Sequence, residues 1–333
     1  MYPTSLLIGK DIIMSPIIAI EEHYITHEIQ SLIDNYSVMP EFTRVRLNDH
    51  FDLRIKEMDE AGIDIQILSH NHPGAQIFSP ETAAEQAIKL NDELALIVST
   101  HPDRFAAFAS LPMQAPEIAV QELERCVKTH GMCGAMLHGM LKGEFFDLPK
   151  FWPVFAKAEE LDVPVYLHPG VPDKRVVDAY YQEYADEFKV FKTAGWGFGI
   201  EMSTAAVRLI LSGIFEKHPQ LKIILGHLGE GLPFLLDRTH EGITTRQPSG
   251  KRQVSFRDTF CKHFYITTSG NFSDSALLCS LMEMGSDRIL FAVDWPYNSN
   301  KDGTDWIKST KLSPDDYQKI THLNAEKLLK LKY

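Results

Sequence analysis

Cysteine is scarce in this chain. Cys126, Cys133, Cys261 and Cys279 are the only four in 333 residues, and no two have the spacing of a zinc knuckle or a redox pair. A disulfide framework is therefore excluded, and the four are expected as reduced core thiols of a cytoplasmic protein. Long apolar runs are also missing. The first of them, Leu6-Leu7-Ile8, is far shorter than a signal-peptide core or the roughly 20 residues of a membrane span. Residues 1–15 are expected to form an extension ahead of one domain, 16–333. No Gly/Ser linker, repeat or low-complexity tract divides that domain. Positive charge is in deficit, with 33 Lys+Arg against 45 Asp+Glu and a net charge of −12. Such a surface repels phosphate backbones and anionic headgroups, so neither nucleic acid nor a membrane is an expected partner.

What the sequence does contain is a recurrence of short apolar runs, most of them ending at or beside a polar residue and each followed by helix-compatible sequence. They are Ile17–His23, Ile63–His70, Phe105–Leu111, Cys133–Gly139, Val163–His168, Leu221–His227, Phe264–Ser269 and Arg288–Asp294. Between them, apolar residues recur at helical spacing over Glu81–Thr100, Pro116–Thr129, Leu148–Glu160, Ser203–Lys217, Ser273–Met284 and Pro314–Leu331. Strands that alternate with helices pair in parallel, because only a crossover reaches a parallel neighbour. Eight such units predict an α/β fold, a (β/α)8 TIM barrel, which typically takes about 250 residues. The remaining length is placed in two insertions, roughly 24–52 after the first strand and Val171–Ile200 after the fifth. A doubly wound open sheet is the second choice, since no Gly-x-Gly-x-x-Gly follows an early strand.

In such a barrel the strand C-termini open onto one face, where functional groups collect. These runs end in Glu21 and His23, His70, His138, His168, His227 and Asp294. Side chains two apart on a strand share a face, so Glu21 and His23 point together while Glu22 points away. A carboxylate and an imidazole converging from one strand end suit a divalent ion, and His168 and Asp294 would complete a mixed N/O shell. His227 runs into a glycine-rich turn, Gly226-His-Leu-Gly-Glu230-Gly, in which Glu230 would hold one ring nitrogen. For His70, His72 and His138 the choice between pocket lining and simple packing stays open. The insertion Val171–Ile200 carries Tyr180, Tyr181, Tyr184, Phe188, Phe191, Trp196 and Phe198. These rings would form either a pocket wall for a flat substrate or a subunit contact.

The stretches Ile17-Ile-Ala-Ile-Glu21-Glu-His23, Tyr166-Leu-His168-Pro, Ile224-Leu-Gly-His227-Leu-Gly-Glu230-Gly-Leu-Pro-Phe, Ile266-Thr-Thr-Ser-Gly-Asn-Phe and Arg288-Ile-Leu-Phe-Ala-Val-Asp294-Trp-Pro carry a resemblance. Together they resemble the amidohydrolase superfamily, in its aminocarboxymuconate-semialdehyde-decarboxylase-like branch. Within that branch the likeness is to the nonoxidative hydroxybenzoate decarboxylases acting on 2,6- or 2,3-dihydroxybenzoate, and it runs from about Ile17 to Leu331. The resemblance implies that Glu21, His23, His168 and Asp294 ligate one divalent metal, zinc or manganese first and magnesium after them, with no organic cofactor. It implies a catalytic group of Asp294, His227 and Glu230. It makes Arg238 a holder of a substrate carboxylate, and His138 and Tyr297 are taken as substrate contacts beside it. It further implies a homodimer or homotetramer.

Two departures matter. Glu21-x-His23 replaces the His-x-His of many amidohydrolases, and no lysine ends the fourth strand, so one metal is expected rather than two. At His138, His70 and His72 the chain also differs from the resorcylate pattern. The expected reaction is loss of CO2 from an ortho-hydroxy aromatic acid, with Asp294 delivering to the ring carbon a proton that His227 and Glu230 supply or relay. A metal-dependent hydrolase of a lactone or amide is the rival enzyme, and a non-catalytic metal-binding barrel is the third reading.

Overall fold

The computed structural model describes residues 15–26, 29–30 and 39–331. Most of the expected extension 1–15 and part of the expected insertion 24–52 lie outside the described residues. The strands are β1 (Ile18–Tyr24), β2 (Ile65–His70), β3 (Phe105–Ala107), β4 (Ala109–Ser110), β5 (Ala135–His138), β6 (Val165–His168), β7 (Ile223–Leu225), β8 (Phe264–Thr267) and β9 (Ile289–Leu290). They pair in parallel as β1-β2-β3 and as β4 through β9 in order.

Two seams join these sheets into a ring. β3 and β4 are one expected strand interrupted at Phe108, whose N–H donates to Leu68 O at 2.9 Å while Ala109 N–H donates to Gly134 O at 2.9 Å. On the opposite side Ile20 N–H donates to Phe291 O (3.2 Å), Asp294 N–H to Glu21 O (3.0 Å) and His23 N–H to Trp295 O (2.8 Å). The eight expected strands therefore close into the (β/α)8 barrel.

Strand alternation sorts the apolar residues into two layers. Ile18, Ile20, Ile67, Phe108, Met136, Tyr166, Ile224, Leu290 and Ala292, drawn from strands all around the ring, pack together in the lumen. Ala19, Leu68, Leu137, Val165, Leu167, Ile223, Leu225 and Ile266 instead meet the helices. The helix Pro116–His130 shows how its sequence does this: Pro116 opens it, Gly131 at φ 69° stops it, and Ala119, Leu123 and Cys126 form its buried stripe. Truncating Leu123 to alanine would cost about 2–5 kcal/mol.

β1 departs from strict alternation. Its register with β2 shifts between Ala19 and Glu22, so that Ile20 and Glu21 together stand opposite a single residue, Ile67. Ile18 and Ile20 face the lumen below this bulge, and Glu21 and His23 face it above.

The helix expected over Ser203–Lys217 differs from what is observed. It starts at Gly197, inside the expected insertion, and stops at Ser212 because Gly213 takes φ 93°; a second short helix, Ile214–Lys217, follows. Pro314–Leu331 is divided by a wide turn at Lys319–Leu323, after which Asn324 Nδ2 donates to Ser286 O and Ile289 O, both at 2.7 Å. The helices Asp52–Ala61, Leu232–His240, Phe256–His263 and Asn300–Ser309 lay outside the expected stretches. No helix among the described residues is long and apolar enough to cross a membrane.

Candidate active site

Four side chains from three strand ends converge at the barrel mouth. Glu21 and His23 arrive from the bulged strand β1, His168 is the last residue of β6, and Asp294 follows β9 with a left-handed φ of 69°. One ligand atom from each lies within 4.8 Å of the others. His23 Nε2 stands 3.2 Å from Asp294 Oδ1, and His168 Nε2 stands 3.4 Å from Glu21 Oε1.

The surrounding bonds hold these groups with their open atoms inward. His168 Nδ1 donates to Pro169 O at 2.8 Å, which leaves Nε2 as the bare nitrogen. His23 Nδ1 pairs with Ser69 Oγ at 3.1 Å. Glu21 Oε2 accepts from the Tyr166 hydroxyl and from Thr267 Oγ1. Glu21 Oε1 and His23 Nε2, both buried, have no hydrogen-bond partner. An orphaned buried polar atom costs about 1–3 kcal/mol, a cost that a cation between two nitrogens and two carboxylates would remove. Burial raises the Glu21 carboxyl and lowers the His168 imidazole, so without a cation both ionise reluctantly. Burial also works against the ionised Asp294, yet His227 and His23 outweigh it and hold this carboxyl well below its usual range.

His227 comes from the turn after β7. His227, Leu228, Gly229 and Glu230 all have positive φ, from 52° to 77°, which folds the turn back and sets His227 Nδ1 2.7 Å from Glu230 Oε1. The other ring nitrogen lies 4.0 Å from Asp294 Oδ2. Burial would lower this imidazole, but Glu230 and Asp294 more than offset it and hold it well above its usual value. Ser269 Oγ accepts from His227 N–H at 3.1 Å, and Asn271 Nδ2 donates to His227 O. The residue just before is close-packed on the cluster: a Cβ on Gly226 would come within 3.1 Å of Glu21 Oε2, so a side chain there would press on that carboxylate.

Glu22, which alternation points away from the mouth, has a supporting position. Its two carboxylate oxygens accept from Val293 N–H (2.9 Å) and Trp295 N–H (3.1 Å), the residues flanking Asp294. Arg54 lies 3.9 Å over the Trp295 ring and donates to His23 O. Sequence reasoning passed over Glu22 and Arg54 as supports, and also Ser69, Tyr166 and Thr267. For Tyr166 a signal was present, since it stands two residues before His168 and so shares the inward face.

The remaining candidates divide. His138 is buried on the inward face of β5, with its ring 5.2 Å from that of His168. Tyr297 lies 6.1 Å from the His23 ring, and its hydroxyl donates to Asn71 Oδ1 at 2.8 Å. Arg238 is exposed on the helix Leu232–His240, and among the described residues it has neither an ion pair nor a contact with the cluster. His70 points outward, packed on Tyr24 at 5.0 Å with Nδ1 donating to Asn71 O, which is the packing role. His72 turns toward His138, ring centroids 5.7 Å apart. In the insertion Tyr181 is buried against Phe191, whereas Tyr180, Tyr184, Phe188 and Trp196 are exposed.

A closed parallel barrel with carboxylates and imidazoles gathered at its C-terminal mouth is the architecture of one large enzyme class, and residues 43–331 match the amidohydrolase family model. The chain belongs to that family. It is 41% identical to the gamma-resorcylate decarboxylase of Polaromonas sp. (strain JS666), over 94% of this chain and 98% of that enzyme, and 40% identical to the gamma-resorcylate decarboxylase of Rhizobium sp. (strain MTP-10005), with the same shares covered. Among solved structures it resembles a dihydroxybenzoic acid decarboxylase from Polaromonas sp. JS666, with bound manganese and the inhibitor 2-nitroresorcinol. The TM-score is 0.87 and the identity 40%, over 96% of this chain and 98% of that one.

Proposed function

We propose that this chain is a divalent-metal-dependent, nonoxidative decarboxylase of an ortho-hydroxy aromatic acid of the 2,6- or 2,3-dihydroxybenzoate class. The observation that carries this reading is the contact between two groups at one mouth: the four-ligand cluster and the His227–Glu230 pair, which meet at Asp294. The likeness to gamma-resorcylate decarboxylases supports it.

Glu21, His23, His168 and Asp294 would hold the metal, and manganese is favoured because a similar solved enzyme carries it. Bound there, the metal would grip an anionic carboxylate together with its ortho oxygen and draw off negative charge. The rest falls to the protein. The proton resides on His227, between Glu230 and Asp294, where its imidazole is held above its usual value. Asp294 passes that proton to the ring carbon bearing the carboxylate. As the carbon–carbon bond to the carboxylate then breaks, CO2 leaves and its electron pair restores the aromatic ring. His138 and Tyr297 line the ring's site, while Arg238, exposed on the helix Leu232–His240 without contact to the cluster, is the candidate holder of a substrate carboxylate outside it.

Exposed Phe234 and Leu235 on the Arg238 helix, with Tyr180, Tyr184, Phe188 and Trp196 of the insertion, provide the apolar surface for a homodimer or homotetramer in the cytoplasm. The test of activity is incubation of the manganese-loaded protein with 2,6- and 2,3-dihydroxybenzoate. Resorcinol or catechol with one equivalent of CO2 is expected. Hydrolysis of a lactone with no turnover of either acid would establish the hydrolase reading instead.

A further inference from the structure

In each of the two cluster carboxylates one oxygen is already occupied. Glu21 Oε2 accepts from the Tyr166 hydroxyl and from Thr267 Oγ1, the latter at 3.2 Å. Asp294 Oδ2 accepts from Asn298 Nδ2 at 3.3 Å and faces His227. The other oxygen of each is turned to the cluster. Glu21 Oε1 stands 3.4 Å from His168 Nε2 without a hydrogen-bond partner, and Asp294 Oδ1 stands 3.2 Å from His23 Nε2.

The donors to Glu21 belong to a row of hydroxyls inside the barrel. Tyr166 comes from β6 and Thr267 ends β8, and both are fully buried. Thr267 Oγ1 lies 2.8 Å from the Tyr166 hydroxyl and 2.8 Å from Ser269 Oγ. Each hydroxyl has a single proton to give, so the direction of the row follows from counting protons. Ser269 Oγ accepts from His227 N–H at 3.1 Å, which leaves its own proton for Thr267. Thr267 and Tyr166 give theirs to Glu21, which as a carboxylate can only accept. The row thus runs from the backbone of His227 to Glu21 Oε2. That oxygen is crowded on a further side, where a Cβ on Gly226 would meet it at 3.1 Å. With a donor for each of its lone pairs, it has none to spare for a cation, and Glu21 is confined to Oε1.

The number of ligand atoms decides what else the metal can hold. A divalent ion of the manganese kind favours an octahedral shell. Four residues that offer one atom each leave a pair of positions open in such a shell. If Glu21 offered both oxygens, a single position would remain. An acid that grips the metal with its carboxylate and its ortho oxygen together needs the pair.

We propose that Tyr166 and Thr267 are positioning residues, which cap Glu21 Oε2, restrict this ligand to a single oxygen and so keep open the second position that a chelating hydroxy acid requires. The inference rests on the functional reading above and adds to it two residues that act through Glu21.

The test counts open positions and needs no turnover. Bound manganese relaxes the protons of the waters it holds, so water relaxation in the manganese-loaded protein reports how many positions are free. In the double variant Tyr166→Phe with Thr267→Val this enhancement is expected to fall by about half. A second measurement compares salicylate, which chelates, with benzoate, which has the carboxylate alone. Calorimetry should show the wild type favouring salicylate by about tenfold or more and the double variant by less than about threefold, with benzoate affinity and metal content retained. Thr267→Ser, which keeps the hydroxyl, should behave as wild type. If thermal melting shows the double variant unfolded, Thr267→Val alone decides, with a salicylate preference expected between those of the wild type and the double variant. Relaxation and preference unchanged in a metal-loaded variant overturn the proposal, as does a wild type indifferent to the ortho hydroxyl. Loss of the metal from a folded variant overturns it too, because the hydroxyls would then serve only to retain the ion. Absence of decarboxylation by wild type overturns the functional reading, and water relaxation still decides the role of the two hydroxyls.

Discussion

His227 Nε2 faces Asp294 Oδ2 across 4.0 Å, while the far side of the same ring is held by Glu230 at 2.7 Å. One imidazole thus joins the turn after β7 to the loop after β9. Replacing Asp294 with Asn is expected to lower kcat by about 10²–10⁴-fold, because the group that passes the proton is lost. His227→Asn should fall in the same range while retaining metal. Steady-state rates together with metal analysis decide this: activity near wild type in metal-loaded His227→Asn would remove His227 from the mechanism.

Metal removal has a stability readout as well as a catalytic one. Glu21 Oε1 and His23 Nε2 are buried without partners, so a bound divalent ion should stabilise the fold. At a hundredfold excess of manganese over its Kd the gain is about 3 kcal/mol. Scanning calorimetry after chelation, and again after manganese is restored, should show the melting temperature fall and return together with activity. A melting temperature indifferent to the ion would argue against a site at these four residues.

Glu22 supports the loop of Asp294 from the outside. With Glu22→Ala the Val293 and Trp295 N–H groups lose their acceptors, for a loss of about 2–4 kcal/mol. Metal affinity should drop about tenfold or more although no ligand is changed. Denaturant unfolding and metal titration of the variant measure the two effects separately.

His70 makes stability depend on pH. Burial lowers its imidazole from 6.5 to about 4. The unfolded chain therefore takes up a proton before the folded one does, and stability is lost as pH falls from 6.5 toward 4. At pH 5 the loss amounts to about 2 kcal/mol. The drop in melting temperature between pH 7.5 and 5 should be smaller in His70→Gln than in wild type; equal drops would mean that this ring contributes nothing.

The exposed rings bear on assembly. Trp196 is 56% exposed and Phe234 83% exposed, values unusual for such large apolar side chains. Combining Trp196→Glu with Phe234→Glu should shift the protein toward monomer in sedimentation experiments, with the metal content retained.

The barrel was legible because most of the eight apolar runs end at or beside a polar residue at the same structural level, and the period of two already placed Glu21 with His23. The four-ligand cluster followed from that placement. What sequence could not supply was anything that depends on contact across the ring. Glu22 reads as an outward acid, and only the closure of β9 onto β1 brings the backbone around Asp294 to it. His70 and His138 end their runs alike, yet one faces the helices and the other the lumen. The start of the helix at Gly197 was hidden by two nearby glycines and by aromatic residues that also suit a loop.

The bulge in β1 has a consequence for what one strand can do. In an unbroken alternation Ile18, Ile20 and Glu22 would share the lumen, and Glu21 and His23 would lie among the helices. The surplus residue reverses the parity midway. A single strand can then contribute hydrocarbon to the barrel's floor and ionic groups to its rim on the same side. The reactive centre therefore sits on a base of packed hydrocarbon, with its ionic groups turned to the mouth.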